Sequence, residues 1–533
     1  MTESKLCTSG PAPRPHYGAT PLLHDYIHQA SNQCPNKTAL VCGDARLTFS
    51  EIDGQSNALA HALVNRGVER GGRVILFADN GVDTVVSFWA ILKANAVACL
   101  VNPLTKTDKL RYLLNDSRAT ALITDAHLAS AFLPAAHDAK YLKLTIVSGA
   151  VQEETLAILP GAVRFIRAME AELREVPPPR ACIDMDLASI VYTSGSTGDP
   201  KGVMLTHRNM MTAAASVSTY LELCHDDVIL CVLPLAFDYG LYQVIMSTRV
   251  GARLVLERSF TYSAQVLLNV VSERVTVFPG VPTIFTIMGG LNNIGDYDFA
   301  AVRIVTNTAA ALQLKHIDTL QRIFPRALLY SMYGLTECQR CSYLPPADLA
   351  RKPLSVGVAI PNTELWIVDD NDRRLGANQV GQLVIRGGTV MKGYWEKPEQ
   401  TAKKLRPGPL PGEQVLYTGD YCKLDDDGYL YFVSRMDDII KSRGEKVSPA
   451  EVERAIYQIP GVHEVAVIGV PDDVLGEAVK AFVVLANGAS YTPKALELQC
   501  QVRLESYMVP KYIEVVPELP KGLTGKIQKT KLT

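Results

Sequence analysis

The chain has 533 residues, of which 47% are hydrophobic and 20% charged, and its formal net charge is −2. This composition excludes a disordered chain, and the length predicts two or more domains. A net charge so close to zero gives no general attraction to nucleic acid or to anionic membranes, so neither is expected as a partner.

The N-terminal half carries no predicted signal peptide or membrane span. The first residues, MTESKLCTSGPAPRPHYG, lack a charged start followed by an apolar core. The most apolar region, VVSFWAILKANAVACLVNPL, is interrupted by Lys93, Asn95 and Pro103, which favours a buried helix and strand. Eleven cysteines without regular spacing are typical of a cytoplasmic protein. The C-x-x-C pair Cys338 and Cys341 lacks a second pair of ligands nearby, so we expect no metal or redox role for it.

The order of predicted elements indicates an α/β protein. Short β-branched runs alternate with helical patterns, as in RVILFAD, GVDTVVSFWAILKAN and VACLVNP, and again at ATALITD, LASIVYTS, DVILCVLP, ARLVLE and VTVFPG. Strands and helices at this spacing predict largely parallel sheets. From about Ala359, the runs TELWIVDDNDRRL, GQLVIRG and GYLYFVSR alternate around turn residues, which predicts a small antiparallel sheet or barrel.

A compact tail follows Arg435 and contains two helical patterns, SPAEVERAIYQI and TPKALELQCQVRLE, around the strand patterns VHEVAVIGVP and KAFVVLA. This mixture predicts a separate small α+β domain. We therefore expect a large N-terminal domain at residues 1–434 and a small C-terminal domain at residues 435–533.

The stretch IVYTSGSTGDPKGVMLTH is the strongest local signal for a binding site. Gly195 and Gly198 allow successive backbone N–H groups to turn toward one anion, and Lys201 adds a positive charge. The loop also carries four hydroxyl donors, Thr193, Ser194, Ser196 and Thr197. A helix expected near Thr206 would add its N-terminal dipole. Pro200 before the lysine rules out an ordinary P-loop. The alternatives are a polyphosphate cradle and a plain surface loop.

The string YTSGSTGDPKG closely resembles the signature loop of the adenylate-forming superfamily, which includes acyl-CoA synthetases, adenylation domains of non-ribosomal peptide synthesis and beetle luciferases. Further motifs match in the family's order: YGLTE (Tyr333–Glu337), YTGD (Tyr417–Asp420), SRMDDIIKSRGEKVSPAEVE (Ser434–Glu453) and LPKGLTGKIQK (Leu519–Lys529). LTFSEIDGQSNALAHAL and ILKANAVACLVNP match N-terminal ones. The resemblance implies that a carboxylate attacks the α-phosphate of ATP, giving an acyl-adenylate, and that a pantetheine thiol then displaces AMP.

The resemblance also implies roles for nucleotide-binding residues. The loop from Thr193 to Gly198, with Lys201, would hold the β- and γ-phosphates. Tyr333 would present its ring to adenine, Thr336 would bond the α-phosphate, and Glu337 would bind Mg²⁺, which prefers oxygen ligands. Two further residues would bind the ribose, namely Asp420 through both hydroxyls and Arg435 from the start of the C-terminal domain.

The small domain would then act as a mobile lid. Lys526 would stabilise the charge that develops between the carboxylate and the α-phosphate. Rotation about Asp437 would withdraw this lysine, and Gly444 would let the pantetheine arm pass close to the backbone.

The acyl group is expected to bind around LPLAFDYGLYQVI, which starts at Leu233. Asp238 stands where amino-acid-activating relatives carry a similar Phe-Asp pair, whose carboxylate pairs with the substrate's ammonium group. The alternative is that Asp238 caps the helix GLYQVIMSTRV. Four other residues are expected to shape the pocket for a small or compact carboxylic acid, namely Tyr239, Tyr242, Phe278 and Gly280.

The sequence does not decide which thiol accepts the acyl group. Coenzyme A fits an acyl-CoA ligase, and a phosphopantetheinyl arm on a separate carrier protein fits a free-standing aminoacyl ligase, for example a prolyl ligase. A non-catalytic nucleotide-binding relative would have lost Lys201, Glu337, Asp420 or Lys526, and all four are present. Nothing in the sequence requires the oxygen chemistry of a luciferase. We therefore expect a cytoplasmic ATP-dependent acid–thiol ligase.

Overall fold

The structure, a computed structural model, describes residues 21–170, 172–193, 200–308, 312, 314–442, 445–472, 475–504, 506, 508–522 and 527–532. Within these ranges the chain forms 15 α-helices and 27 β-strands. The helices, in chain order, are α1 Asp25–Gln33, α2 Phe49–Asn65, α3 Val82–Lys93, α4 Thr107–Asp116, α5 Ala129–His137, α6 Glu153–Ala157, α7 Phe165–Met169, α8 His207–Tyr220, α9 Asp238–Val250, α10 Ser263–Ser272, α11 Pro282–Gly289, α12 Leu314–Ile323, α13 Pro398–Lys404, α14 Pro449–Tyr457 and α15 Pro493–Gln501.

The strands account for every extended run that the sequence predicts. In chain order they are β1 Thr38–Cys42, β2 Ala45–Thr48, β3 Arg73–Phe77, β4 Val97–Val101, β5 Ala121–Asp125, β6 Leu144–Ser148, β7 Val163–Arg164, β8 Leu187–Thr193, β9 Lys201–Thr206, β10 Val228–Cys231, β11 Arg253–Leu256, β12 Val277–Gly280, β13 Ile304–Asn307, β14 Leu328–Tyr333, β15 Ser342–Tyr343, β16 Val358–Ala359, β17 Thr363–Val368, β18 Gly381–Gly387, β19 Gly393–Tyr394, β20 Leu405–Pro407, β21 Gln414–Leu424, β22 Leu430–Arg435, β23 Ile440–Ser442, β24 Glu445–Val447, β25 Val462–Asp472, β26 Gly476–Leu485 and β27 Tyr512–Val515.

Two large sheets form the body of the protein, and both are mainly parallel, as predicted. The eight-stranded sheet has the order β19-β9-β8-β4-β3-β5-β6-β7, and the nine-stranded sheet has the order β16-β15-β14-β13-β12-β10-β11-β1-β2. Antiparallel pairing is confined to their ends, where β9 pairs with β8 and β19, β15 pairs with β14 and β16, and β2 pairs with β1.

Both faces of the eight-stranded sheet are buried, and strand β3 illustrates why its sequence is apolar throughout. Val74 and Leu76 belong to the large core that also contains residues of the nine-stranded sheet, while Ile75 and Phe77 belong to a second cluster on the opposite face. Successive side chains of a strand point to opposite faces, so a strand covered on both sides needs apolar residues at every position. Among the described residues, each helix is too short or too polar to cross a membrane.

The small antiparallel sheet predicted after Ala359 is present, with the order β17-β18-β21-β20 and β22 paired to β21. The C-terminal sheet has the order β24-β23-β26-β25, with β27 paired to β26, and helix α14 packs on β25. A separate cluster of buried apolar residues holds this last part together and runs from Ile440 to Met508. The mixed α/β class predicted from the sequence is confirmed.

Candidate active site

The glycine-rich loop joins two antiparallel strands at the edge of the eight-stranded sheet. Thr193, the last residue of β8, pairs with Lys201, the first residue of β9, so both ends of the loop are fixed side by side. The predicted phosphate-binding residues between them, Ser194, Gly195, Ser196, Thr197 and Gly198, lie outside the described residues.

Helix α8 begins where the sequence predicts it, with Thr206 as N-cap and Asn209 completing a capping box. Its N-terminus does not adjoin the loop, however, because the six residues of β9 stand between them. A strand rises roughly 3.3 Å per residue, which corresponds to about 20 Å here. The expected contribution of the α8 dipole at this loop is therefore wrong, because strand β9, which pairs with β8, separates the start of the helix from the loop.

A group of side chains around Asp116 stabilises the base of the loop, and the sequence analysis did not predict it. The Tyr192 hydroxyl donates to Asp116 Oδ2 at 2.6 Å, and Trp395 Nε1 donates to the Asp116 carbonyl oxygen at 2.9 Å. The Tyr112 hydroxyl contacts Asp116 Oδ1 at 3.1 Å and the Pro200 carbonyl oxygen at 3.2 Å. Burial, with the neighbouring Asp116 carboxylate, raises the pKa of Tyr192 far above its ordinary value, so this tyrosine stays a neutral donor.

The YGLTE motif forms a tight loop after β14. A β-carbon on Gly334 would overlap the Gln339 carbonyl oxygen, so only glycine allows this close approach. Gln339 itself has φ 63°, a left-handed conformation that is uncommon outside glycine. The loop returns to β15, where the Cys341 N–H donates to the Tyr333 carbonyl oxygen at 3.0 Å. Thr336 and Glu337 are thereby carried, half-buried, on a constrained turn.

Residues from three of the predicted motifs meet beside this loop. The Tyr333 hydroxyl donates to Asp420 Oδ2, and Arg435 Nε lies 3.6 Å from Asp420 Oδ1. Strands β21 and β22 set this arrangement, since Asp420 and Arg435 are directly paired across them. Asp420 is 3% exposed, whereas the Arg435 side chain is 55% exposed. Burial raises the pKa of Asp420, and the opposite effects of Arg435 and Tyr333 only partly offset it.

Glu337 is oriented by Tyr394, a residue that sequence reasoning did not single out. The Tyr394 hydroxyl donates to Glu337 Oε1 at 2.7 Å, and Lys201 Nζ lies 5.8 Å from the centre of the Tyr394 ring. Tyr394 lies in β19, which pairs with β9, and the Met391 N–H donates to the Glu337 carbonyl oxygen at 2.8 Å. Lys201, the predicted phosphate-binding residue, and Glu337, the predicted metal ligand, therefore both lie next to the buried Tyr394. Nothing local in the sequence signals this, because the three residues are far apart along the chain.

Asp238 is not the helix cap that the sequence suggested as one alternative, and its carboxylate has a partner within the chain. It is the first residue of α9, and the N-cap is Phe237, so Asp238 is not the helix cap. Its carboxylate Oδ2 forms an ion pair at 2.8 Å with Nη1 of Arg340, whose side chain is 7% exposed. Asp238 is therefore already charge-compensated within the chain. Although burial alone would lower the pKa of Arg340, the Asp238 carboxylate raises it, so the arginine stays charged.

Two of the other predicted pocket residues line a cavity beside Arg340, and Phe278 does not. Tyr239 and Tyr242 line this cavity together with Val277. Phe278 follows Val277 in β12 and points to the opposite face, where its ring lies 5.4 Å from that of Phe324. Phe278 is thus absent from the described lining of this cavity, because strand alternation turns its side chain to the opposite face of β12.

Gly280 ends the same strand, and a β-carbon there would overlap the ring of Phe285. The glycine thus allows close packing of α11 against β12. Gly280 is not among the described residues that line the cavity.

The C-terminal residues with predicted roles are only partly described. Lys526 and Gly444 lie outside the described residues, and the backbone of Asp437 lies in the short 3₁₀ helix Met436–Asp438. The chain on either side of residues 523–526 is held by a β-bridge between Lys521 and Ile527.

Comparison with known proteins identifies the family. A family model described as AMP-binding enzyme matches residues 27–395, and one described as AMP-binding enzyme C-terminal domain matches residues 451–526. The long-chain-fatty-acid–CoA ligase of Bacillus subtilis (strain 168) is 30% identical over 536 residues, which cover 96% of this chain and 94% of that protein. The 4-coumarate–CoA ligase 2 of Solanum tuberosum is 31% identical over 518 residues, which cover 95% of this chain and 92% of that protein.

The solved structure of the anthranilate CoA ligase AuaEII in complex with anthranoyl-AMP superposes with a TM-score of 0.88 at 28% identity and covers 96% of each chain. The acids named for these three proteins are a long fatty acid and two different aromatic acids. Similarity at this level therefore does not single out one acid.

Proposed function

The chain belongs to the AMP-binding enzyme family and is an ATP-dependent acid–thiol ligase that acts through an acyl-adenylate, and we propose that coenzyme A is its thiol acceptor. In the first half-reaction the carboxylate of the acid attacks the α-phosphorus of ATP and pyrophosphate leaves. In the second, the thiol attacks the acyl carbon and AMP leaves. The support for coenzyme A is that the relatives named CoA ligases match over more than nine tenths of their length.

The observation that carries the site assignment is the contact between Tyr333, Asp420 and Arg435, which come from three separate motifs. We propose that Asp420 accepts hydrogen bonds from both ribose hydroxyls and that the Tyr333 ring lies against adenine. A buried carboxylate with a raised pKa gains most from new donors, because ligand hydroxyls replace the water it has lost. Arg435, largely exposed on the opposite strand, would approach the ribose from the side of the small domain.

The triphosphate would lie along the loop Thr193–Gly198, with Lys201 and the Thr336 hydroxyl as further contacts. We propose that Glu337 holds Mg²⁺. Its carboxylate suits this hard cation, and Tyr394 already fixes one carboxylate oxygen, so the residues present fit the ion. Mg²⁺, when bound, neutralises charge on the phosphate oxygens. Lys201 and the loop N–H groups would orient the chain of phosphates so that the α-phosphorus faces the acid.

The division into domains 1–434 and 435–533 is part of this proposal. It is supported by the separate apolar cluster from Ile440 to Met508. Lys526 would act in the first half-reaction, and rotation about Asp437 would bring Gly444 to the thiol channel for the second. The ion pair between Lys529 Nζ and Glu453 at 2.7 Å ties the segment after Lys526 to α14, so the lysine would move with the small domain.

The substrate proposed is a small carboxylic acid, and the location proposed is the cytoplasm, in keeping with the unpaired thiols among the described residues. Transfer of an amino acid to a separate carrier protein is the second candidate. It needs an ammonium group to pair with Asp238, which the Arg340 ion pair disfavours because the carboxylate is already compensated.

The acceptor is tested by incubating the purified protein with ATP, Mg²⁺, a panel of acids and either coenzyme A or a phosphopantetheinylated carrier protein. Mass spectrometry then identifies the thioester. We expect acyl-CoA and AMP in equal amounts. Acylated carrier protein in the absence of any acyl-CoA would overturn the proposed acceptor and leave the adenylation step standing.

A further inference from the structure

Arg340 places a charged guanidinium inside the body of the protein, beside the proposed acyl site. It follows YGLTE in sequence, and its Nη1 donates to Asp238 at 2.8 Å and to the Gln339 carbonyl oxygen at 2.6 Å. The guanidinium carbon lies 4.8 Å from the centre of the Tyr239 ring. Nε and Nη2 have no acceptor among the described residues. One nitrogen thus anchors the group, and the remaining N–H donors are uncommitted.

The same guanidinium lines a narrow cavity of about 10 Å³. Its polar lining comes from Arg340, Tyr239, Tyr242, Gln243 and Thr306, and apolar side chains complete it. This volume is about that of one water molecule. A long unbranched acyl chain would bring methylene groups against the Asp238–Arg340 ion pair, and burying apolar chain against a charged pair is unfavourable. The charged pair therefore disfavours a long acyl chain at this point.

Two hydroxyl groups that line the cavity already have hydrogen-bond partners within the chain. The Tyr239 hydroxyl is committed to Thr306, at 2.9 Å from its carbonyl oxygen, and the Tyr242 hydroxyl bonds Gln339 Oε1. Guanidinium and amide N–H groups can only donate. A ligand oxygen in the cavity would satisfy the remaining N–H groups of the Arg340 guanidinium, whereas another donor or a methylene group would not.

We propose that Arg340 is the specificity-determining residue of the acyl pocket and selects a compact carboxylic acid with a second oxygen acceptor, such as a hydroxyl, carbonyl, ether or carboxylate oxygen. Asp238 is the positioning residue that holds the guanidinium against Tyr239. An ammonium group brought to Asp238 would lie beside the guanidinium and be repelled by it. This inference rests on the proposed adenylation activity and adds the chemical class of its substrate.

The test is pyrophosphate exchange with sets of acids of equal shape. One set is cyclopentanecarboxylate, tetrahydrofuran-2-carboxylate and proline, and another is propionate, lactate and alanine. Malonate and succinate, and benzoate with its hydroxylated forms, vary the position of the oxygen. We expect the best oxygen-bearing acid to exceed its carbon analogue by at least about tenfold in kcat/KM. Equal rates for every such pair, or a preference for the amino acids, would overturn the proposal.

Variants locate the effect. Arg340→Met keeps a long side chain without donors, and we expect it to remove the preference for oxygen while the carbon analogues gain. The double variant Asp238→Asn with Arg340→Met avoids an unpaired carboxylate, and we expect it to show the same change in acid preference as Arg340→Met. Arg406→Met is a matched control, because Arg406 also pairs with an aspartate, Asp372, at 3.0 Å and stacks on a tyrosine, but lies in the small antiparallel sheet. An unchanged acid preference in both Arg340 variants would contradict the assignment. Absence of exchange with any acid in the wild type would instead refute the adenylation activity.

Discussion

The hydrogen bond from Tyr394 to Glu337 gives the sharpest test of the proposed metal site. Tyr394→Phe removes one hydroxyl and keeps the ring beside Lys201. A hydrogen bond to a charged group contributes roughly 1.5–3 kcal/mol. Glu337 is half-buried, so water replaces part of the loss and the lower figure applies. A loss of about 1.4 kcal/mol corresponds to a factor of ten. We therefore expect about a tenfold weaker apparent affinity for Mg²⁺, with little change in KM for the acid.

The assay is pyrophosphate exchange as a function of Mg²⁺ concentration at saturating acid, with calorimetric binding of ATP at high and low Mg²⁺ as a second readout. Tyr429→Phe is the matched control, because the Tyr429 hydroxyl also donates to a carboxylate, Asp348, and neither residue has a described bond to Glu337, Tyr394 or Lys201. Wild-type Mg²⁺ dependence in Tyr394→Phe, or the same weakening in Tyr429→Phe, would refute the assigned role.

Three further predictions concern Asp420, Lys526 and Gly334. The pKa of Asp420 is raised, so the stability that its protonated form contributes is present below the ordinary carboxyl pKa and is lost as the pH rises through the folded-state pKa. At pH 8, Asp420→Asn should therefore unfold at the same urea concentration as the wild type or at a higher one. The same variant should bind ATP at least about tenfold more weakly by calorimetry. Lys526→Ala should lose adenylation while keeping most thioester formation from preformed acyl-adenylate, and equal loss of both in rapid-quench assays would contradict the roles given to the two half-reactions. Gly334→Ala should lower the free energy of unfolding by roughly 1–3 kcal/mol through overlap with Gln339, whereas Gly376→Ala, which has open space around it, should change it little in urea unfolding.

The elements that the sequence predicts well are those whose pattern is local. Strand β3 is apolar at successive positions because clusters cover both of its faces, and such runs are visible without a structure. The β8–β9 hairpin was harder, because Met204–Thr206 suits a helix start as well as a strand. These residues form the end of strand β9 because β9 pairs with β8 and β19, and no local sequence pattern encodes this pairing.

The contacts that organise the site depend on pairs far apart in sequence. Asp238 and Arg340 are 102 residues apart, and Glu337 and Tyr394 are 57 apart. A sequence motif can identify Asp238 or Glu337 as a candidate site residue. The residue that pairs with each of them depends on how α9, β14 and β19 are arranged in the fold. The position of Phe278 outside this cavity also depends on the fold, since one step along β12 reverses the face of the sheet.

The measurement that tests the central claim most directly is acid-dependent exchange of labelled pyrophosphate into ATP by the purified chain, with the panel of acids described above and no thiol present. We predict exchange that requires one of the acids and Mg²⁺ and that is lost in Asp420→Asn. A preparation that binds ATP but exchanges no pyrophosphate with any acid would contradict the claim that this site forms an acyl-adenylate.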